Sequence, residues 1–286
     1  MADNIETYVV ILRPDPIIAG RLPLQELAKI VSGAFSVPVL DTAARLRRTW
    51  GLLHKTDSID EAKTLSKILA ANGFGSLVLP SLNLKKVPPL KVIRKAAPVS
   101  EGFLFSESGT MGAPHEKEKE FEKLVPWDGF SLVCAGGFYE EGGLSTGKKE
   151  KLEEGVTAVK VITTVALAAA GLPSFGKLKP AANKGGGVEQ KEKKFKFYMD
   201  MFSRQGSQHF RVCGDAFDYS FLGGRKEPSA LPNFRKLVSD VLGFMPGALR
   251  NRGAAAIEKG AGDGFKYGDR QEYEGERSWL FQFCEL

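Results

Sequence analysis

The sequence lacks the residue patterns that mark most metal, redox and nucleotide sites. Its 286 residues include three cysteines and three histidines, and none of these forms a CxxC pair or a Cys/His cluster. The glycine-rich dinucleotide motif, the P-loop and HExxH are also absent from the sequence. We therefore expect no metal, no cofactor and no catalytic residues, and we interpret the chain as a non-enzymatic protein.

A secretory signal is missing as well. The first residues, Met-Ala-Asp-Asn-Ile-Glu, contain neither the basic region nor the apolar region of a signal peptide. Together with the sparse and odd cysteine count, this favours a reducing, cytoplasmic location. The net charge of +6 is mildly basic, which permits an acidic partner without requiring one.

Residues 5–84 alternate strand and helix patterns. Apolar residues at helical spacing predict one helix over 24–35, and Ser58 with Glu61 forms an S-x-x-E capping box that predicts the start of another. A further short strand is expected within 37–46. Three short apolar runs predict strands: 8–12, 50–54 and 77–79.

This order of elements gives an α+β sandwich with two helices on one face of a small sheet. The helix and strand over residues 60–79 resemble the second half of a ferredoxin-like domain. The resemblance implies a ferredoxin-like α+β domain over residues 5–84, and it carries no catalytic motif.

A second domain is expected over residues 90–250, and its strands are predicted to be antiparallel. One of them alternates apolar odd-numbered residues with Lys194, Lys196 and Asp200, which are expected to lie on the opposite face. Strand patterns occur at five places: 90–94, 102–105, 124–135, 194–201 and 208–222.

An amphipathic helix follows these strands, and Ser229 is placed to cap it. Burial of a leucine or phenylalanine contributes roughly 1.5–3 kcal/mol, so a full apolar stripe predicts a helix packed firmly on the sheet. The stripe follows the spacing i, i+3, i+4, i+7, i+8, i+11 and contains Phe234, Leu237, Val238, Val241, Leu242 and Met245.

Antiparallel strands followed by one such helix resemble a pleckstrin-homology-like barrel, in which the helix closes one open end. The strand start at Pro126 and Trp127 supports the resemblance, whereas the tryptophan often found in the closing helix is replaced here by Phe244 or Phe234. The implied fold class is α+β: a small ferredoxin-like sandwich followed by an antiparallel pleckstrin-homology-like barrel capped by a C-terminal helix.

Residues 139–193 interrupt this barrel as an insertion with flexible flanks rich in glycine and lysine. Within it, residues 156–172 are apolar apart from Lys160 and a few Thr and Gly positions, which is short of the roughly 20 residues of a membrane span. A docked or mobile segment is the favoured interpretation. Contact with a membrane surface stays open as the second.

Residues 251–286 predict a weakly ordered Gly/Ala-rich segment followed by a terminal helix. Tyr273, Trp279, Leu280 and Phe283 are expected to pack this helix onto the protein. Its charged residues are expected to face water: Glu272, Glu274, Glu276 and Arg277.

Two groups of basic residues are candidate phosphate- or anion-binding positions. A row of cations beside Trp50 suits phosphates and a stacked base, and this row consists of Arg45, Arg47 and Arg48. Basic residues at the start of lipid-binding pleckstrin-homology barrels grip inositol phosphates, and the resemblance implies this role for Lys91, Arg94 and Lys95. A solvated helix or strand surface explains either group without any ligand.

Three functions remain after these exclusions. The first is a bacterial-type binding or scaffold protein that acts through protein–protein contacts at sheet edges and at the barrel rim. The alternative is recruitment to an anionic surface, lipid or nucleic acid, through Lys/Arg patches, and such binding weakens steeply with salt. The third is an enzyme whose site is assembled from scattered residues, which a pocket with several strongly shifted titratable groups would support.

Overall fold

The computed structural model describes residues 6–14, 22–105, 123–141, 193–204 and 206–284. The strands are β1 (Tyr8–Leu12), β2 (Leu52–Thr56), β3 (Ser76–Pro80), β4 (Leu90–Ile93), β5 (Ala96–Val99), β6 (Gly102–Phe105), β7 (Lys123–Pro126), β8 (Phe130–Glu141), β9 (Lys193–Ser203), β10 (His209–Cys213) and β11 (Leu249–Arg250). The α-helices are α1 (Leu24–Phe35), α2 (Val39–Thr49), α3 (Ile59–Ala71), α4 (Ala230–Phe244), α5 (Arg252–Glu258) and α6 (Arg270–Phe281), with short 3₁₀ turns at Ser81–Asn83, Trp127–Gly129 and Ser220–Arg225. The apolar run 156–172 lies outside the described residues.

The first sheet contains three strands in the order β2-β1-β3, and the apolar β1 lies in the middle, antiparallel to both neighbours. Helix α3 connects the two outer strands and packs over the sheet, and its predicted start is confirmed. The Ser58 hydroxyl accepts a hydrogen bond from the Glu61 amide at 3.3 Å. The Glu61 carboxylate does not complete the capping box; it contacts His54 and Thr56 instead.

The expected strand within residues 37–46 is wrong, because this segment begins α2. Pro38 is the N-cap residue, and Thr42 and Leu46 form the buried side of the helix. The apolar Val39 and Leu40 are exposed at the helix start. Arg47 and Arg48 lie in the last turn, where the helix dipole favours cations.

The second sheet contains five strands in the order β11-β8-β9-β10-β4. Strands β9 and β10 are antiparallel, whereas β4 pairs with β10, and β11 with β8, in the parallel direction. Strands β5, β6 and β7 make a separate antiparallel sheet. The mixed α+β class is therefore confirmed, but no sheet in the described ranges closes into the predicted antiparallel barrel.

Helix α4 covers one face of the five-stranded sheet. All six residues of the predicted stripe are buried, in a core that also contains Met199, Phe210 and Phe103. Phe244 stacks on Trp127 with ring centroids 4.9 Å apart. The Ser229 side chain makes no capping hydrogen bond.

Helix α6 covers the opposite face of the same sheet and also contacts the N-terminal sheet. Phe281 packs on Phe202 of β9, while the Trp279 indole stacks on Trp50 and donates a hydrogen bond to the Leu12 carbonyl at 2.7 Å. Because α6 packs against both sheets, one hydrophobic core combines buried residues from the N-terminal sheet with residues near the C-terminus. The predicted domain limits at residues 84–90 and 250 stay predictions.

The Gly/Ala-rich stretch after α4 is more regular than expected. It contains β11 and α5, and the Asn251 side chain caps α5 by accepting a hydrogen bond from the Ala254 amide. Within the described parts of the chain, no helix has the length and apolar character that crossing a bilayer requires.

Candidate functional site

Asp200 is the centre of a buried ionic cluster between the five-stranded sheet and α6. Its carboxylate is fully buried and accepts two hydrogen bonds from the Arg211 guanidinium, at 2.7 and 2.9 Å. His209 Nε2 lies 2.8 Å from the same carboxylate, and the Tyr273 hydroxyl donates to it at 2.7 Å. Arg277 approaches within 3.4 Å. Asp200 lies on the face of β9 opposite Met199 and Met201, as expected, but its burial was not predicted, and the expectation that Arg277 faces water is wrong.

Burial alone would raise the pKa of Asp200, but hydrogen bonds from His209 and Arg211 and the charges of two guanidinium groups hold this pKa well below its ordinary value. Burial also raises the pKa of the nearby Cys134 thiol, which keeps that thiol neutral and unreactive. The Asp200 carboxylate accepts from Arg211, His209 and Tyr273 at once, so the arrangement fixes α6 on the sheet. The buried Arg277 Nε has no hydrogen-bond partner among the described residues.

A second polar cluster joins α5 to α6. Asn251 accepts from the Ala135 amide at 2.9 Å and donates to the Ala135 carbonyl at 3.0 Å. It also donates to the Tyr267 hydroxyl, which in turn donates to the Glu276 carboxylate at 2.5 Å. Glu276 is only 2% exposed. Burial raises its pKa to about 7 despite these hydrogen bonds and the nearby Arg252.

Arg252 connects this second cluster to the surface. Its guanidinium donates to Glu272 at 2.8 Å and lies 3.6 Å from Glu276. It also lies 4.0 Å from the Tyr267 ring and 5.6 Å from the Trp50 ring, within the range of cation–π contacts. The side chain is therefore held in one position by groups from three parts of the chain.

A cleft of about 230 Å³ opens beside Arg252 where α2, α5 and α6 meet. Its walls combine apolar, aromatic and charged groups: Leu22, Leu24, Arg47, Trp50, Arg252 and Glu272. A more open depression of about 550 Å³ continues past Arg47 and shares its two leucines with the cleft. Glu276 lies behind Arg252 and is not part of the wall.

The structure separates the three arginines that the sequence placed in one row. Arg47 lines this cleft, whereas Arg48 lines a different depression, beside Gly275 on α6. Arg45 donates a hydrogen bond to the Leu53 carbonyl at 3.3 Å. Only Arg47 shares a surface with Trp50, so the predicted row of cations does not exist as a unit.

The second predicted group lies at an edge of the five-stranded sheet. Lys91 is in β4, with its ammonium 5.9 Å from the Phe210 ring, and Arg94 and Lys95 follow directly after the strand. Beside them, Leu90 and Val92 are 44% and 42% exposed. This edge therefore combines cations with exposed apolar side chains on a short strand.

Arg252 and Glu272 are the cleft residues that sequence reasoning missed. A local signal was present, because Asp269 and Glu272 form a D-x-x-E capping box at the start of α6. The Asp269 carboxylate accepts from the Glu272 amide at 2.8 Å, and the Glu272 carboxylate accepts from the Gly268 amide at 2.7 Å. The pairing of Glu272 with Arg252 depends on how α5 and α6 pack, and no local pattern predicts that.

Comparison of the chain with protein-family models, with curated proteins and with solved structures gives no match. No group of three or more His, Cys, Asp or Glu side chains is placed to hold a metal ion in the ranges that the structure describes.

The sequence does contain one short match to the serine-hydrolase pattern G-x-S-x-G, at Gly143, Ser145 and Gly147. These residues lie outside the described ranges, and so short a match identifies no nucleophile without its strand–turn–helix context.

Proposed function

We propose that this chain is a binding protein that takes an extended, acidic segment of a partner protein along the edge of its five-stranded sheet. The observation that carries the proposal is the composition of β4, which is the last strand of that sheet among the described residues. An edge strand presents backbone N–H and C=O groups that an added strand can pair with.

The apolar side chains of β4 favour such an addition. Leu90 and Val92 have the same parity in the strand, so both project on one face of the sheet, next to His209 and Arg211 of β10. Both are nearly half exposed, whereas Ile93 of the opposite face is buried. Apolar side chains of an added strand would cover Leu90 and Val92, and the hydrophobic effect would add to the backbone hydrogen bonds.

The charges of the same edge favour an acidic partner. Lys91, Arg94 and Lys95 place three cations along β4 and the turn that follows it. Electrostatic complementarity of this kind speeds association and selects among partners more than it adds affinity. A partner strand that alternates apolar and acidic residues would match both the exposed apolar side chains and the cations of this edge.

Lysine on an edge strand also has a competing explanation, since charged residues protect sheet edges from unwanted pairing. The two explanations differ in what they expect of Leu90 and Val92. Protection favours polar residues on the exposed face, whereas binding requires apolar ones. The exposed leucine and valine therefore favour binding.

Fluorescence anisotropy with a labelled peptide of alternating valine and glutamate tests the proposal. We expect saturable binding that disappears when prolines replace every second residue, because proline cannot donate to a strand ladder. Arg94→Glu should weaken binding by about threefold to tenfold, and Lys67→Glu, the same charge change on the exposed side of α3, should leave it unchanged. Equal binding of the proline peptide would refute strand addition.

Recruitment to an anionic surface remains the second candidate, and the same protein samples test it. Sedimentation with phosphatidylserine vesicles and with duplex DNA over a series of salt concentrations would detect it through a steep loss with salt. If binding to either surface is strong while the peptide does not bind, the second candidate replaces the first.

The N-terminal sheet belongs, in our proposal, to the ferredoxin-like class. The support is its connection from β2 through α3 to β3, with β1 between the two strands and antiparallel to both. For the second half, the resemblance to pleckstrin-homology-like domains rests on the packing of α4 against the antiparallel pair β9 and β10, and the closed barrel itself is not found in the described part.

A further inference from the structure

Trp50 is an unusual residue at the centre of the cleft between α2, α5 and α6. Its backbone has φ 49° and ψ −123°, a conformation that side chains with a Cβ rarely adopt, so the fold holds it there at a cost. The ring is 5% exposed and stacks on Trp279 at 6.1 Å. Its indole N–H has no hydrogen-bond partner among the described residues, although buried donors are nearly always paired.

Two guanidinium groups line the cleft beside this indole, and they differ in their pairing. Arg252 is fixed by Glu272, Glu276 and two aromatic rings. Arg47 is exposed and makes no ion pair within the described part of the chain. The cleft therefore contains one cation already matched by carboxylates and one cation without a counter-charge.

We propose that this cleft binds a small organic monoanion, whose carboxylate is bound by Arg47 beside Arg252 and whose apolar, planar body lies against Leu22, Leu24 and Trp50. Guanidinium groups bind carboxylates with paired, charge-assisted hydrogen bonds. Two leucines and the small accessible part of Trp50 line the cleft and provide apolar surface for the ligand.

The size and charge of the cleft restrict the ligand further. The enclosed cleft of about 230 Å³ is below the roughly 300–1,000 Å³ of pockets that hold drug-sized molecules, so the part of a ligand beside Trp50 is no larger than a single-ring acid, although the open depression past Arg47 continues from it. Glu272 is part of the same wall and repels a second negative charge. A monoanionic carboxylate is thus favoured over a phosphate, which carries more charge.

Two-dimensional ¹H–¹⁵N NMR of the full chain tests the proposal with benzoate as the probe and benzamide as its neutral counterpart. The chain contains three tryptophans, so the Trp50 indole signal is assigned by its loss in Trp50→Phe. We expect benzoate to shift this signal in a saturable manner and benzamide to shift it at least tenfold more weakly, as the loss of a charged hydrogen bond implies.

Arg47→Gln should weaken benzoate binding about tenfold, whereas Arg48→Gln, the same change one residue further along α2 and outside the cleft, should not. Both residues are exposed, and unchanged spectra elsewhere in each variant will show that the fold is intact. Equal binding of benzamide, equal losses in the two variants, or no shift of the Trp50 signal at millimolar benzoate would overturn the proposal.

Discussion

Replacing Asp200 by asparagine should destabilise the protein more than any surface substitution. The carboxylate is fully buried and neutralises two guanidinium groups, those of Arg211 and Arg277. Asparagine has nearly the same shape, so the change creates no cavity. It removes the negative charge, however, and leaves two buried cations without a counter-charge, and it offers a donor where the carboxylate offered only acceptors.

Removing one partner of a buried ion pair costs about 3–5 kcal/mol of unfolding free energy. For a chain of this size, each kcal/mol lowers the melting temperature by roughly 2–4 °C, so the variant should melt about 6–20 °C below the wild type. Differential scanning calorimetry and urea unfolding at pH 7 both measure this difference. The matched control is Asp240→Asn, whose pair with the 60%-exposed Arg225 should contribute at most about 1 kcal/mol.

The pH dependence separates the charge of Asp200 from its packing. The folded pKa of this carboxyl lies well below its ordinary value, so its stabilising effect is complete above the unfolded pKa of about 3.9 and is lost as the pH falls further. The wild type should therefore lose its advantage over Asp200→Asn as the pH is lowered from 5 towards the acid range. A difference that is the same at acid and neutral pH, or no larger than that of the Asp240 control, would refute the role of the charge.

Two further predictions concern α6 and its neighbours. Burial raises the pKa of Glu276 to about 7, so the wild type should lose about 3 kcal/mol of stability as the pH rises from 4.5 to above 7, and Glu276→Gln should not show this loss in urea unfolding at each pH. A Cβ at Gly51 would lie 2.0 Å from Trp279 Nε1, so Gly51→Ala should destabilise by about 1–3 kcal/mol and shift tryptophan fluorescence to the red. Gly33→Ala, at an exposed position in the last turn of α1 with nothing within 4 Å, is the matched control and should stabilise slightly. Parallel pH curves for wild type and Glu276→Gln, or equal effects of the two glycine substitutions, would contradict these assignments.

Short-range patterns in the sequence predicted the elements that depend on short-range physics. Ser58 caps α3, and Gly73 follows that helix with φ 83°. The stripe of α4 is buried at all six positions. Spacing along a helix determines which side chains share a side, so the sequence contains this information directly.

The wrong predictions share a different cause. Glu276 and Arg277 were expected in water because each is charged, and each is buried because its partner arrives from another element. Asp200 was expected on the face of β9 opposite the apolar residues, and its burial there depends in the same way on Tyr273 and Arg277 of α6. Segment 37–46 was expected to contain a strand, but packing of Leu46 in the core shared by the N-terminal sheet and α6 favours the helix. Tertiary contacts decided these cases, and one sequence by itself does not show which elements meet.

The difference between paired and unpaired charges indicates which surfaces of the molecule bind a partner. The charges of the interior are matched by one another, at Asp200 and at Glu276, and what they determine is the position of α6 between the two sheets. Among the described residues, Arg47 and Arg94 are exposed and make no ion pair. Each lies next to apolar surface that water also reaches, the leucines of the cleft in one case and the exposed face of β4 in the other. A cation without a counter-charge beside solvent-accessible apolar groups suits binding, because an anion with an apolar part pairs with the cation and removes the apolar groups from water.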